Sequence, residues 1–402
     1  MTRTTTSRAG LAPVLALLAL AFPLAAQDAG KKTGLLRGPV VSFDATGPTV
    51  DVVVGAEVSV PRLRFKTKKT DVGFERVSGS RLRARLGQTP REALAYRIVD
   101  ESTEACLASG SLGALPAPGS ARLTFCALGD SGWPGGDHGE AVADQLSIAR
   151  LLEEQSPELV IHTGDIIYLA GQPASFDALF FQPYAATLAR VPFFCTLGNH
   201  DVISKKGEPT LAEFPYPPNE NGNRYYSFDA ASVHFACLDS NEPVKMKSPS
   251  DFAATAQGKW LAADLAAART KWRVVFFHHP LYAVTTIRRY EQAAMRAALE
   301  RLLDEAGVDL VVCGHEHYYD RTVRARREKK DDDGIVHVVT GGGGAPLAAG
   351  EPDALTACYA GRFHLTRFDV NGAEMRIRAL APDANGKTEC FDDVTVTARG
   401  VK

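Results

Sequence analysis

The sequence predicts two architectures in series: a small all-β sandwich, then a layered α/β fold. Three observations predict it. Residues 34 to about 112 hold short runs rich in Val, Arg and Leu, separated by Gly and Pro, with no helix-period stretch. Gly113–Ser120 (GALPAPGS) is a Pro/Gly-rich connector. From Arg122 onward, apolar strand-like runs alternate with helical stretches, which is the grammar of an α/β layered domain.

In the first part, the strand candidates are Thr49–Val54, Glu57–Phe65, Arg81–Leu86 and Leu94–Val99. In the second, Leu123–Leu128, Leu159–His162, Pro192–Leu197, Tyr225–Asp229, Ser232–Leu238, Arg273–Phe277, Asp309–Val312 and Ile335–Val339 read as strands. Glu140–Glu154, Phe176–Ala189, Lys259–Ala268 and Tyr290–Glu305 read as helices. Phe363–Val370 and Ala373–Leu380 read as a closing hairpin around Asn371-Gly372. Arg324–Asp333 is densely charged and reads as a solvated hairpin loop rather than a docking patch. There is no internal repeat. The expected domains are thus 34–112 and 121–398, joined by a linker at 113–120.

The 402 residues are 45% hydrophobic and 23% charged, an ordinary globular composition. A net charge of −2 offers no global attraction for nucleic acid or anionic membranes, so an anionic substrate must be drawn by a local site. At the N-terminus, Arg3 and Arg8 precede an apolar run, Leu11–Leu24, and small residues at Ala25-Ala26. This reads as an export signal over 1–26, the bland alternative being a buried helix. The run is shorter than the roughly 20 residues that span a bilayer. The expected location is periplasmic or secreted, with no membrane association once the signal is removed. Seven cysteines form no CxxC. Their odd number leaves at least one thiol over unless it pairs with another chain, and one disulfide is open in an oxidising compartment without a pair being specified.

Five times an apolar strand ends and polar residues follow at once. LTFCAL leads to Gly129-Asp130-Ser131-Gly132, LVIH to Gly164-Asp165-Ile166-Ile167-Tyr168, and PFFCTL to Gly198-Asn199-His200-Asp201. RVVFF leads to His278-His279-Pro280, and DLVVC to Gly314-His315-Glu316-His317. Loops beyond the carboxyl ends of strands converge on one edge of a layered α/β sheet. Asp, Asn, His and Tyr gathered there suit a pair of metal ions, which can clamp the attacking and leaving oxygens of a displacement at phosphorus.

The order GD, GDxxY, GNHD, VxxH, GHxH resembles the calcineurin-like metallophosphoesterases, and more narrowly the purple acid phosphatases. The resemblance spans about Leu123 to Leu380 and takes in GHEHYYDRT (Gly314–Thr322) and VVTGGGGAP (Val338–Pro346). It implies an α/β/β/α sandwich. The β-rich N-terminal part is similar to the fibronectin-III-like domain that precedes it in that subfamily. Many metallophosphoesterases open with Asp-x-His, whereas Gly132 stands here at the His position. Tyr168 stands where purple acid phosphatases place a phenolate ligand to ferric iron, although a packing role is also open.

By this resemblance Asp130, Asp165, Tyr168 and His317 hold a first metal ion. Asp165, Asn199, His278 and His315 hold a second, with Asp165 bridging. The implied pair is Fe(III) with a divalent Zn, Fe or Mn ion, leaving a positive centre for phosphate. The implied reaction is hydrolysis of a small phosphate monoester by attack of metal-held hydroxide. His200 is the catalytic candidate, as hydrogen-bond donor to phosphate or acid toward the leaving group, or as a residue behind the ligands. Asn199, His200 and Arg288 are the substrate-binding candidates. Plant-type relatives carry a His pair where this chain has Ile287-Arg288. Arg288 or Arg289 then grips phosphate or merely starts a helix. His279 lies behind the ligands or is packed. His138, His162, His234, His337 and His364 read as structural. A phosphodiesterase or nucleotide hydrolase on the same scaffold is the alternative, and a silent secreted binding protein the third reading.

Overall fold

Alternation sets the first part of the fold. In Pro61–Phe65, residues 61, 63 and 65 are buried while Arg62 and Arg64 lie nearer solvent, the period of a half-buried strand. The computed structural model describes residues 34–400, except 45–46, 60, 67–70, 88–89, 91, 114–115, 118, 136–139, 215–221, 247–248 and 286–287. The export segment read over 1–26, His138 and Ile287 fall outside the described residues. Among those residues no helix is long and apolar enough to cross a membrane, and no disulfide joins the cysteines.

The N-terminal strands are β1 (Leu35–Asp44), β2 (Gly47–Val54), β3 (Pro61–Phe65), β4 (Val72–Gly73), β5 (Glu75–Ser78), β6 (Arg81–Arg85), β7 (Leu94–Asp100) and β8 (Ala105–Leu112). They form two antiparallel four-stranded sheets, β1-β2-β6-β5 and β4-β3-β7-β8. Val50, Val52, Leu63, Ile98 and Leu112 share one core with them. The strand read from Glu57 begins instead as a turn, where Val58 N–H donates to Gly55 O (3.2 Å), and is extended over Pro61–Phe65. The buried Asp51 carboxylate is paired by Arg83 (2.7 Å) and Arg81 (2.8 Å), as a charge removed from water requires.

The second part contains β9 (Arg122–Leu128), β10 (Leu159–His162), β11 (Phe193–Cys195), β12 (Tyr226–Ala230), β13 (Val233–Cys237), β14 (Trp272–Phe276) and β15 (Leu310–Cys313). It continues with β16 (Tyr319–Thr322), β17 (Val336–Thr340), β18 (Thr356–Ala360), β19 (Leu365–Asn371), β20 (Glu374–Pro382) and β21 (Thr388–Thr397). One sheet runs β11-β10-β9-β19-β20-β21, the other β12-β13-β14-β15-β17-β16-β18. The two share an apolar core in which Phe125 stacks on Phe368 (4.5 Å) and meets Phe235 edge-on (5.2 Å). Helix α1 (Ala143–Gln155) packs on β19 and β20. Helices α2 (Ala256–Ala267) and α3 (Arg289–Met295) cover the second sheet through Leu261, Leu265 and Met295. The layers are therefore α/β/β/α.

Strands β9, β10 and β11 are parallel, as are β13, β14, β15 and β17. Each set thus delivers its carboxyl ends to one edge. The helix read over Phe176–Ala189 follows a 3-10 turn (Pro173–Ser175) and is itself broken into a π turn (Asp177–Phe181) and a short α segment (Ala185–Leu188). Pro183 offers no N–H to Leu179 O, and the Gln145 side-chain amide donates to that carbonyl instead (2.6 Å). The Asn371-Gly372 hairpin forms with Asn371 opposite Glu374 and Gly372 at φ 62°.

Candidate metal centre

The turns that leave the strands are tight and set by local sterics. Asp130 (φ 58°), Asp165 (φ 49°) and His315 (φ 71°) sit in the left-handed region, which non-glycine residues rarely adopt. Cross-loop hydrogen bonds hold them there. His315 N–H donates to Asp130 Oδ2 (2.9 Å), and His200 N–H donates to Asp165 Oδ1 (2.8 Å). At Gly198 a Cβ would lie 2.1 Å from Asp165 Oδ1, so the Asn199 loop approaches this carboxylate only as glycine backbone.

The five loops bring seven side chains together. Tyr168 Oη lies 2.9 Å from Asp165 Oδ2, 3.1 Å from Asp130 Oδ1 and 3.0 Å from His317 Nε2. His278 Nε2 lies 3.0 Å from Asn199 Oδ1, 3.1 Å from His315 Nδ1 and 3.4 Å from Asp165 Oδ2. Asp130, Asp165 and His278 are essentially inaccessible, and their ligand atoms fall within 4.8 Å of one another.

Each imidazole has its far nitrogen facing an acceptor. His278 Nδ1 faces Thr163 O (2.8 Å), His317 Nδ1 faces Pro346 O (2.7 Å), and His315 Nε2 faces Glu291 Oε2 (2.9 Å). An N–H donated outward leaves the inner nitrogen a lone pair. Three inward lone pairs thus meet two carboxylates and an amide oxygen, with the single Tyr168 hydroxyl proton shared among three acceptors. With those inner nitrogens unprotonated the nest lacks positive charge, and metal-binding histidines are oriented in this way.

The electrostatics agree. Burial opposes charge on His278, but Asp165 and Asp130 outweigh it and push the imidazole up to about 9. Burial would raise Asp165, yet His278 holds it well below the usual carboxylate range. Burial and then the two carboxylates push the Tyr168 phenol well above its ordinary value. Burial and the neighbouring imidazoles push His315 well down. Burial opposes charge on His317 as well, but Asp130 raises it. With no ion present the carboxylates thus draw protons toward His278 and His317, the places a metal cation would take. Two carboxylates, a phenol, an amide oxygen and three imidazoles are a donor set for a first-row transition ion.

Gly132 has a steric reason. A Cβ there would lie 2.0 Å from Ile166 O, because the Asp165–Tyr168 loop lies against it: Gly132 N–H donates to Ile166 O, and Tyr168 N–H donates to Gly132 O (2.8 Å). The backbone that delivers the Tyr168 phenol is thus incompatible with a side chain at 132.

His200 and Arg288 lie at the rim. The His200 ring packs on Tyr168 (centroids 4.5 Å), its Nδ1 2.7 Å from Leu169 O. Arg288 donates to His315 O (2.7 Å) and lies 3.8 Å from Glu316, with 38% of its side chain exposed. The Arg289 side chain is outside the described ones. His279 is buried behind the nest, its Nδ1 held by Ser240 Oγ (2.8 Å) and its ring 4.4 Å from His315. His162 pairs with Ser131 (2.9 Å), His234 bridges Asp229 and Asp264, and His364 meets Arg362 O (2.8 Å). His337 packs on Tyr282 (4.7 Å).

Sequence reasoning assigned no role to Asp201 or Glu291. The buried Asp201 carboxylate accepts from the N–H groups of Gly198 (2.8 Å), Ile166 (3.0 Å) and Ile167 (3.3 Å), locking the Asp165 and Asn199 loops together. Its place at the end of GNHD was the available signal. Burial and Asp165 push it up to about 7. Glu291 carried no signal, because a Glu on a helix is ordinarily a solvated residue.

A family model, Calcineurin-like phosphoesterase, matches residues 123–319. The chain is 31% identical over 227 residues to purple acid phosphatase 18 of Arabidopsis thaliana, covering 53% of this chain and 47% of that one. It is 30% identical over 225 residues to a phosphoenolpyruvate phosphatase of Allium cepa, covering 51% and 43%. The chain thus spans about half the length of these curated relatives. A solved purple acid phosphatase from yellow lupin (Lupinus luteus) seeds superimposes with a TM-score of 0.75 at 18% identity, covering 90% of this chain and 74% of that one, a likeness of fold. Residues 123–319 match the calcineurin-like phosphoesterase family, and the chain's similarity within it is to the purple acid phosphatases.

Proposed function

We propose that this chain is an exported, dinuclear-metal phosphoesterase that hydrolyses small phosphate monoesters. The observation that carries the reading is the nest of three imidazoles, each with one nitrogen turned inward, two carboxylates, a phenol and an amide oxygen. Asp130, Asp165, Tyr168 and His317 would hold one ion, and Asp165, Asn199, His278 and His315 the other. Such a pair, Fe(III) with Zn, Fe or Mn, would supply Lewis acidity toward the phosphoryl oxygens and a water that ionises near or below neutral pH. The chain's own groups do the rest. His200, with Nδ1 anchored on Leu169 O, presents Nε2 as the proton donor to phosphate or leaving group. Arg288 keeps guanidinium N–H groups beyond the one bound to His315 O, and these pair with phosphate oxygens. The relative named for phosphoenolpyruvate supports a monoester substrate. The N-terminal basic-apolar-small pattern supports export to the periplasm or medium.

Two assays test this. Metal-replete protein should hold two ions per chain and turn over an aryl phosphate faster than a bis-aryl phosphate. The reverse preference moves the assignment to a phosphodiesterase, and no turnover with under one ion per chain removes the enzyme reading. A visible tyrosinate-to-iron band that disappears in Tyr168→Phe supports the ferric assignment. A colourless, active two-zinc protein sinks that assignment alone.

A further inference from the structure

Arg288 and Glu291, at the start of α3, both reach His315. We propose that Arg288 and Glu291, at the start of α3, form a clamp on His315 that sets the affinity of one metal position. This rests on the metal-centre reading above. The three imidazoles differ in what faces their outer nitrogen. His278 and His317 are held by main-chain carbonyls, Thr163 O and Pro346 O, which the fold itself fixes. His315 alone of the three is held by a side chain, Glu291 Oε2 at 2.9 Å. That partner is a carboxylate and is 44% exposed, whereas the His315 side chain is 7% exposed.

The same helix start takes hold of His315 a second time, since Arg288 Nη1 donates to its backbone carbonyl (2.7 Å). The peptide unit and the ring of one residue are thus fixed by two side chains three positions apart. His315 needs this, because its backbone sits at φ 71°, where a non-glycine residue is uncomfortable. A carboxylate on the far nitrogen keeps the proton on Nε2, leaves Nδ1 free to coordinate, and makes it a stronger donor. Glu291 is accordingly a positioning residue, acting through His315 on the position shared with Asp165, Asn199 and His278.

The test uses full-length wild type, Glu291→Ala and Glu291→Gln. In metal-free, 15N-labelled protein, the His315 ring should be the Nε2–H tautomer in wild type and a mixture in E291A. In zinc titrations against a chromogenic chelator, E291A should bind the second ion about 10–100-fold more weakly while the first is unchanged. E291Q keeps an acceptor oxygen and should fall between; it also serves if E291A does not fold. Wild-type affinity for both ions in E291A overturns the clamp, and so does an equal loss at both positions, which would mean general loosening. A wild-type protein that binds no zinc would remove the metal-centre reading, while the tautomer measurement would still judge the clamp.

Discussion

At the scale of single residues, Gly132 and Tyr168 are one decision rather than two. The loop that presents the Tyr168 phenol fills the space that any side chain at 132 would need. Gly132→Ala should therefore cost about 1–3 kcal/mol as overpacking, read from urea denaturation of metal-free protein, and Gly132→His should cost more. A His variant that folds at wild-type stability would refute the steric account. His234 gives a pH prediction away from the nest. Burial opposes its charging, but Asp229 (2.7 Å) and Asp264 (2.9 Å) raise it to about 9. Its folded value is raised, so the stability it contributes is complete below about 6.5 and is lost as pH climbs through about 9. The denaturation midpoints of wild type and His234→Gln should differ most near pH 6 and converge by pH 10.

At the scale of elements, the broken helix after Gln172 shows what a pattern conceals. Apolar spacing there is helical, but Pro183 interrupts the ladder and α1 repairs the gap through Gln145. Gln145→Ala should strand the buried Leu179 carbonyl and cost about 1–3 kcal/mol, measurable as a lower urea midpoint with unchanged slope. The layered fold was legible in the sequence because apolar runs and glycines mark strand ends directly. The convergence of Asp130, Asp165, Tyr168, Asn199, His278, His315 and His317 was legible for the same reason, since each follows a strand within a few residues. What was not legible came from elsewhere in the chain. Glu291 reaches His315 from a helix, and β21 and β16 owe their pairing to partners rather than to their own pattern. Sequence shows what a segment carries, but not what will lie beside it.

At the scale of the whole molecule, the nest links folding to cation supply. Five loops from two sheets bring mutually repelling acceptors together, so an ion bound only in the folded state stabilises all of them at once. Zinc at about 100 times its Kd should add about 2.7 kcal/mol per site, seen as a higher melting temperature that reverts on chelation. Asp165→Asn should lose most of that increment. The left-handed backbone at Asp130, Asp165 and His315 has a further consequence, for how this protein tolerates mutation. At those three positions the chain asks for a residue content with positive φ, and only separately for one that binds a cation. Glycine meets the first demand and not the second, asparagine meets the first and offers only a neutral oxygen for the second, and valine or isoleucine meets neither. In a saturation library, soluble expression should rank these positions by left-handed preference, and ion binding should rank them by donor chemistry. The two rankings would part most sharply at Gly, the substitution that yields a folded shell with an empty centre.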